Sequence, residues 1–267
     1  MKTSKEFQAN RDNWNQRTAI HVESDFYELE AFKQGKNVLR QLELAELGEV
    51  QGKSLLHLQC HFGMDTLSWA RLGAKVAGVD FSDTAIEQAN QLANELNIKA
   101  EFILSDVYSA PKVHQEKYDI VFTSYGTIGW LPDLDKWAAV IKHFLKDGGT
   151  FYMADFHPVV WMFDDHFHKV TYSYFNEGPD FELSEGTYAD RESEVSGGTY
   201  FWSHSISEII MALKNAGLEL EFLHEHNYIN WNCLQGLEEI GPYQYILPQW
   251  GHKAPYMYSI KAHNKRA

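Results

Sequence analysis

Residues 53–83, KSLLHLQCHFGMDTLSWARLGAKVAGVDFSD, contain the pattern that decides the fold. A short apolar run, typical of a strand buried on both faces, is followed by a loop at residues 59–64 and by apolar residues at helical spacing. A second apolar run, residues 75–79, then ends at Asp80. Because parallel crossovers are right-handed, the loop and Asp80 face one crevice. A helix N-terminus offers free N–H groups there and Asp80 can accept hydrogen bonds from a ribose, so the unit predicts a nucleotide pocket.

Composition excludes several classes of protein. The 267 residues carry a formal net charge of -14 without any long basic cluster, so we expect neither nucleic acid nor an acidic polymer as a partner. Two cysteines, Cys60 and Cys233, predict neither a disulfide framework nor a zinc site. No apolar stretch approaches membrane-spanning length. We therefore expect a cytosolic protein that does not bind membranes.

The chain outside this unit alternates between predicted strands and helices. Strands are predicted at residues 100–104, 118–123 and 150–156, with amphipathic helices between them, so the sheet is predicted to be parallel and doubly wound. Residues 1–36 precede this pattern and are predicted to form a helical cap, which leaves residues 37–267 as the main domain.

The alternation stops after the fifth strand. Residues 157–204 are rich in aromatic residues, acidic residues and glycines without a sustained period, which predicts an insertion that covers a substrate. Strands are predicted again at residues 218–223 and 256–262, separated by the long aromatic connection 227–255.

The ordered set of motifs resembles the class I S-adenosylmethionine-dependent methyltransferases over residues 39–263. The matching segments after the first loop are VDFS (79–82) at the ribose-binding acid, SDV (105–107) near the adenine, YDIVF (118–122) in the fourth strand and LKDGGT (145–150) before the fifth. The N-terminal phrase, the run TSYGTIGWLPDL and the segment WSHS look like a bacterial branch of small-molecule methyltransferases. The resemblance implies an α/β fold with a three-layer, doubly wound Rossmann-like sheet of seven strands, the last one antiparallel.

The first loop departs from the family pattern. His57 stands where an acidic residue is expected, and Gln59 and His61 replace two glycines, while Gly63 is retained. Glycine permits positive φ and close approach of a ligand, so the side chains of Gln59 and His61 must point away from the cofactor or contact it. We expect that they replace the missing contacts to the amino acid end of the cofactor.

The resemblance implies S-adenosylmethionine as the cofactor and places it along the ends of four strands. The candidate cofactor-binding residues, with Trp14 of the cap added by analogy, are Trp14, Gln59, Cys60, His61, Gly63, Asp80, Phe81, Ser82, Asp106, Val107, Ser124, Tyr125 and Gly126. Simpler interpretations stay open for several of them, because Asp80 and Asp106 also suit helix starts and Cys60 suits a small packing residue.

His157 and His204 are the candidate catalytic residues, as bases for an acceptor that arrives protonated. His157 follows the fifth strand at the rim of the crevice, although it also fits a simple strand end. None of the 13 histidines lies in a recognisable ligand pattern, so no metal site is predicted.

The predicted function is transfer of a methyl group from S-adenosylmethionine to an unidentified small molecule by in-line displacement. One alternative is a protein that binds S-adenosylmethionine or S-adenosylhomocysteine without catalysis, which the altered loop favours. A second is a nicotinamide-dependent oxidoreductase, although glycines at loop spacing and a sixth parallel strand are both missing. The sequence determines neither the acceptor nor the oligomeric state.

Overall fold

The computed structural model describes residues 4–183 and 186–265. Residues 1–3 of the predicted cap, residues 184 and 185 of the predicted insertion, and the last two residues lie outside this range. The described residues form eight α-helices: α1 Lys5–Glu23, α2 Leu29–Lys33, α3 Gln41–Leu47, α4 Met64–Arg71, α5 Asp83–Glu95, α6 Ala110–Val113, α7 Leu134–Phe144 and α8 Ile206–Asn215.

The same residues form eleven strands: β1 Ser54–Leu58, β2 Lys75–Asp80, β3 Ala100–Leu104, β4 Tyr118–Ser124, β5 Leu145–Phe156, β6 Asp180–Leu183, β7 Gly198–Phe201, β8 Leu218–His226, β9 Glu238–Gly241, β10 Gln244–Ile246 and β11 Met257–Asn264. Within this part of the chain, seven strands form one sheet in the order β3-β2-β1-β4-β5-β11-β8. β11 pairs antiparallel with both β5 and β8, whereas the other neighbours pair in parallel. The predicted seven-stranded sheet with an antiparallel last strand is therefore confirmed.

Helices cover both faces of this sheet, as the alternation along β1 requires. Leu56 and Leu58 point into a core formed with α7 and α8, where Trp137 is fully buried. Leu55 points to the opposite face and packs in the cluster that contains Trp69 of α4. Three layers result, with apolar side chains between each pair of layers.

Local sequence signals set the ends of several helices. Ser82, Asp133 and Ser205 each accept a backbone N–H bond at the N-terminus of α5, α7 and α8. Two regions differ most from their predicted extent. The fifth strand begins at Leu145 instead of residue 150, and the connection 227–255 contains the hairpin of β9 and β10.

The cap, residues 4–36, packs beside the insertion that follows β5. β6 and β7 of the insertion form an antiparallel hairpin. The side chain of Asn10 in α1 donates to the Tyr200 carbonyl (2.8 Å) and accepts from the Tyr200 N–H (2.7 Å), which extends the edge of β7. Cap and insertion therefore share one interface. Over the described ranges, the helices are all too short or too polar to cross a bilayer.

Candidate functional site

The loop after β1, residues 59–63 (the β1 loop), has the backbone of a glycine-rich turn. Gln59, His61 and Gly63 have φ angles of 56°, 50° and 83°. Gln59 and His61 thus adopt the left-handed conformation that glycine usually provides, at the two positions where glycine was missing from the expected pattern. A Cβ at Gly63 would lie 2.7 Å from the Phe102 ring, so this position requires glycine.

Asp80 ends β2 directly beside this loop, as the sequence predicted. Its carboxylate accepts the His61 N–H (2.8 Å) and the Ser82 N–H (2.9 Å). Burial raises the pKa of Asp80 to about 6, although these backbone bonds act to lower it. The crevice therefore contains a carboxylate that is shielded from solvent and fixed by backbone donors. Cys60 is buried below it, and burial raises the pKa of its thiol well above the usual value.

The buried face of α1, which packs over this crevice, is polar. Its buried residues are Asn10, Asn13, Arg17, Thr18 and His21. A helix that simply packs on a protein core buries apolar residues, so this face fits a polar surface or a polar ligand. Buried polar atoms without a hydrogen-bond partner among the described residues include Asn13 Nδ2, His21 Nε2 and, across the crevice, Gln59 Oε1.

Trp14 of α1 packs against the β1 loop. Its ring is 5.3 Å from the His61 ring and 5.4 Å from the Trp130 ring, centroid to centroid, in edge-to-face contacts. The neighbouring Asn15 accepts a hydrogen bond from the Ser82 hydroxyl (2.6 Å) and donates to Asp83 (2.8 Å). The cap is thus attached to the end of β2 and the start of α5.

His21 joins the cap to the β1 loop. Its Nδ1 lies 3.0 Å from His61 Nε2, so one ring donates and the other accepts. Burial lowers the pKa of His21 to about 2 and that of His61 to about 3. Both rings are therefore neutral at pH 7.

The remaining cofactor candidates lie at the ends of β3 and β4. Asp106 is half-buried and accepts the Ser109 N–H (3.0 Å), while Val107 is buried in the core. Ser124, Tyr125 and Gly126 form the start of the loop after β4, residues 124–128 (the β4 loop), where Tyr125 has a φ of 21° and Gly126 a φ of 72°.

Asp155, near the end of β5, fixes the backbone of the β4 loop through hydrogen bonds. Its carboxylate accepts four backbone N–H groups, those of Gly126, Thr127, Ile128 and Phe156. It is 1% exposed, and burial raises its pKa against the opposing effect of these bonds. Sequence reasoning missed this residue, although an acidic residue inside an apolar strand was a usable signal.

Sequence reasoning also missed a second carboxylate, which is the second residue of α4, directly after the β1 loop. Asp65, in the first turn of α4, accepts a hydrogen bond from the Ser124 hydroxyl (3.0 Å). His57, which stands at the expected acidic position, is 2.9 Å from Thr66 Oγ1 and 3.4 Å from Ser124 Oγ. Burial lowers the pKa of His57 to about 3, so this histidine is neutral. Asp65 therefore places a carboxyl group, whose pKa burial raises, near the position of the missing acid.

A third missed carboxylate, Glu43 of α3, contacts Tyr125. The Tyr125 hydroxyl donates to Glu43 Oε2 (2.7 Å) and accepts from Asn230 Nδ2 (3.2 Å). The Trp231 ring lies 6.2 Å from the Tyr125 ring and is stacked on Phe26 at 5.6 Å. Aromatic rings from three distant segments thus meet beside the β4 loop.

A small cavity of about 30 Å³ opens beside this aromatic group, which is room for about one water molecule. Asp65 and Arg40 both line it, and the Arg40 guanidinium lies over the Trp231 ring at 3.5 Å. The cavity therefore combines aromatic faces with both signs of charge.

Both candidate catalytic histidines are engaged inside the protein. His157 is 3.0 Å from Glu225 through Nε2, and its Nδ1 accepts the Val159 N–H. His204 is 2.7 Å from the Leu131 carbonyl oxygen and 3.1 Å from Glu208. Their catalytic role stays a prediction, and it requires that one of these partners be exchanged for the acceptor.

Among the described residues, one group has the spacing of a metal site: Glu101, His114 and Glu116. Glu116 lies just before β4 and Glu101 lies near the start of β3, so the group is at the amino ends of the strands. The crevice is at the opposite edge of the sheet.

Comparison with known proteins adds independent information. Residues 55–149 match a family model described as "Methyltransferase domain". The chain is 27% identical to the ubiquinone biosynthesis O-methyltransferase of Bordetella avium over 203 residues, 74% of this chain and 73% of the relative. A methyltransferase from Synechocystis, not further characterised, is 28% identical over 48% of this chain and 59% of its own length.

Solved structures share the fold at lower identity. A methyltransferase from Methanosarcina mazei superposes with a TM-score of 0.57 at 18% identity, over 86% of this chain and 99% of its own. The geranyl diphosphate C-methyltransferase of Streptomyces coelicolor, solved with S-adenosylhomocysteine, reaches 0.54 at 15% identity, over 91% and 79% of the two chains. Residues 55–149 thus match a methyltransferase domain, and together with the strand order this match is consistent with a class I S-adenosylmethionine-dependent methyltransferase.

Proposed function

We propose that the chain transfers the methyl group of S-adenosylmethionine to a hydroxyl oxygen of a small, partly aromatic molecule. The observation that carries the cofactor assignment is the left-handed backbone at Gln59, His61 and Gly63, which faces the carboxylate of Asp80. Non-glycine residues adopt this conformation at a cost of about 1–2 kcal/mol each, and such strain is typical of functional sites.

The residues around the crevice fit this cofactor. Asp80 would accept hydrogen bonds from the ribose, and Asp106 with Val107 would lie beside the adenine. The orphaned Gln59 Oε1 and the polar face of α1 supply partners that a purely structural interface would not need. Ser124, Tyr125 and Gly126 would lie next to the methyl group, with Trp14 covering it.

Asp65 would replace the missing acid at position 57. A cofactor ammonium needs an anionic acceptor, which the neutral His57 does not offer. Asp65 is linked to His57 through Ser124 and lies in the first turn of α4, directly after the β1 loop. Burial raises the pKa of Asp65, but the nearby Arg40 acts in the other direction and favours its carboxylate.

In this mechanism the protein has two tasks, to position the acceptor oxygen and to exclude water from the crevice. When bound, S-adenosylmethionine supplies an electrophilic methyl group on a sulfonium ion. The β4 loop, fixed by Asp155, provides a rigid surface for alignment of the acceptor oxygen, and the cap closes the crevice to water. The aromatic group of Phe26, Tyr125 and Trp231 suits the apolar part of an acceptor.

The choice of oxygen rests on the relatives. The Bordetella avium relative is named an O-methyltransferase of ubiquinone biosynthesis, and the present proposal takes from it the attacking atom without its substrate. A small-molecule acceptor agrees with the net charge of -14 and the aromatic lining. His157 and His204 remain candidate bases within this proposal.

Binding of S-adenosylhomocysteine tests the cofactor site. We expect calorimetry to show that Asp80→Ala weakens binding about 10- to 100-fold, because the ribose loses a charged acceptor, and that Asp65→Asn weakens it about 10-fold. Asp119→Ala is the matched control: this carboxylate lies at the start of β4 and contacts Ser54 and Lys146, at the opposite edge of the sheet. Unchanged affinity in Asp80→Ala would show that the ribose binds elsewhere, and thermal stabilisation by NAD alone would exclude the methyltransferase proposal.

A further inference from the structure

Glu43 is a carboxylate in an unusually dry position. It is 1% exposed, and its two oxygens accept the Arg40 N–H (2.6 Å) and the Tyr125 hydroxyl (2.7 Å). In the part of the chain that the structure describes, no Lys, Arg or His side chain forms an ion pair with it. An ionised carboxylate without a cation is costly to bury, so its presence calls for an explanation.

Helix capping explains only half of this arrangement. Glu43 is the third residue of α3, and its bond to the Arg40 N–H is that of a capping box. Glutamine performs the same role without a charge. The second oxygen of Glu43 is directed at Tyr125, which does not belong to the cap of α3.

The proton affinity of Glu43 suits a base at neutral pH. Burial raises its pKa from 4.5 to about 7, with Asp65 acting in the same direction and the bonds from Arg40 N–H and Tyr125 acting against it. Tyr152 and Tyr228 also lie within electrostatic reach, and both remain protonated at pH 7 because burial raises their pKa values. A base whose pKa lies near the working pH transfers protons most efficiently.

Tyr125 links this carboxyl to the crevice. Glu43 is buried, whereas Tyr125 is half-buried and directly follows β4. The Tyr125 hydroxyl donates its proton to Glu43 Oε2, and its oxygen accepts a hydrogen bond from the Asn230 amide. A donor hydroxyl from a ligand would occupy the position that the Asn230 amide now takes.

We propose that Tyr125 accepts the proton of an aromatic hydroxyl on the methyl acceptor and passes its own proton to Glu43. The acceptor O–H bond breaks as a new Tyr125 O–H bond forms, and the original Tyr125 proton moves to Glu43 Oε2. The electron pair left on the acceptor oxygen forms the bond to the methyl carbon while the methyl–sulfur bond breaks and its electron pair stays on sulfur. Tyr125 is then the catalytic residue and Glu43 a positioning and proton-storing residue. This inference rests on the proposed O-methyl transfer.

A matched pair elsewhere in the fold provides the control. Tyr152 in the middle of β5 donates to Glu46 of the same helix α3 (2.8 Å). Tyr152 is fully buried, and Glu46 also contacts His224 (2.7 Å), so this pair has no access to a ligand. In both pairs a tyrosine hydroxyl donates to a glutamate of α3, but Glu46 also contacts His224, and Tyr125 is partly exposed whereas Tyr152 is fully buried.

The test is methyl transfer to phenols of graded acidity, followed as release of S-adenosylhomocysteine over a range of pH. In the wild type, kcat/KM should rise with pH as Glu43 ionises and level off above pH 7. Glu43→Gln and Tyr125→Phe should lower kcat about 100-fold for weakly acidic phenols at pH 7, and Glu43→Gln should lose the rising limb. For 4-nitrophenol, which is largely ionised at the upper end of the range, the loss should fall below about 5-fold. Tyr152→Phe should leave the profile unchanged.

Several outcomes would overturn the inference. An equal loss for all phenols in Glu43→Gln would show a structural role, and retention of the pH limb would show that another group takes the proton. Transfer to thiols or amines but to no phenol would also reject it, with the cofactor assignment intact. Failure to bind S-adenosylhomocysteine, or absence of transfer to every acceptor class, would instead reject the proposed function itself.

Discussion

The β1 loop and the β4 loop lie at the ends of adjacent parallel strands and solve the same problem in different ways. Both contain residues with positive φ: Gln59, His61 and Gly63 in the first, Tyr125 and Gly126 in the second. The β4 loop is held by Asp155, a carboxylate buried within the sheet. The β1 loop is held by Asp80, which accepts the His61 N–H, and by the cap, where the His21 ring contacts the His61 ring.

We therefore expect the β4 loop to be more rigid than the β1 loop. The backbone N–H groups of the β4 loop are held by Asp155, which belongs to the central sheet and not to the cap. The β1 loop shares its contacts with α1, so movement of the cap changes the cofactor side of the crevice. Gln59 connects the two loops, since its amide donates to the Thr127 carbonyl (2.9 Å).

The largest expected effect is on the β4 loop. Asp155→Ala should lower the free energy of unfolding by about 3–5 kcal/mol, because four backbone N–H groups lose their buried acceptor. Urea denaturation would measure this loss. Asp80→Ala, which removes the acceptor of two such groups, should lower stability less. Equal losses in the two variants would remove the distinction between the loops.

An intermediate effect is expected on the cap, and it depends on pH. The folded state lowers the pKa of His21 to about 2, below the value of 6.5 in the unfolded chain, so folded protein binds fewer protons between these values. The stabilisation is complete above pH 6.5 and is lost as pH falls, by about 2 kcal/mol at pH 5. Hydrogen exchange, corrected for intrinsic rates, should show α1 opening at pH 5 while the β4 loop stays protected. His21→Phe should reduce this acid response, and a uniform response of both regions would contradict it.

The smallest effects are expected from two substitutions, one that removes a glycine from the β4 loop and one that adds a glycine to the β1 loop. Gly126→Ala should destabilise by about 1 kcal/mol, because alanine is strained at a φ of 72° even though its Cβ would have room, 3.6 Å from the Phe156 ring. Gln59→Gly should change stability by less than about 1 kcal/mol, since relief of strain is offset by the lost bond to Thr127 and by greater freedom of the unfolded chain. Thermal unfolding of both variants would detect the difference. A large stabilisation by Gln59→Gly would show that its amide bond contributes little.

Much of the region formed by β1, β2 and the β1 loop was predictable because its signals are local. Continuous apolar runs predicted the strands, and the N-capping residues Ser82, Asp133 and Ser205 are local signals of the same kind for helix starts. The handedness of the crossover then placed the β1 loop beside Asp80, and the His61 N–H bond to Asp80 shows that contact. Even the unusual residues Gln59 and His61 were located from the sequence, although their conformation was not.

The surroundings of the β4 loop could not be predicted, because they depend on contacts between residues that are distant in the sequence. Glu43 and Tyr125 are 82 positions apart and look like an ordinary helix residue and an ordinary strand-end aromatic. The role of Asp65 was not visible in the sequence, and that of Asp155 was indicated only by an acidic residue inside an apolar strand, because burial and the surrounding donors set what a carboxylate does.

The sequence by itself thus determined the alternation of strands and helices and placed the β1 loop beside Asp80, since these follow from periodicity and crossover handedness, while the seven-stranded sheet with an antiparallel last strand was implied by the resemblance. Only the tertiary structure decided how the site is built: which carboxylates surround the crevice, and that a polar helix face closes it. The physical reason is that hydrogen-bond partners and burial, which set the charge and the proton affinity of each group, come from segments far apart in the chain.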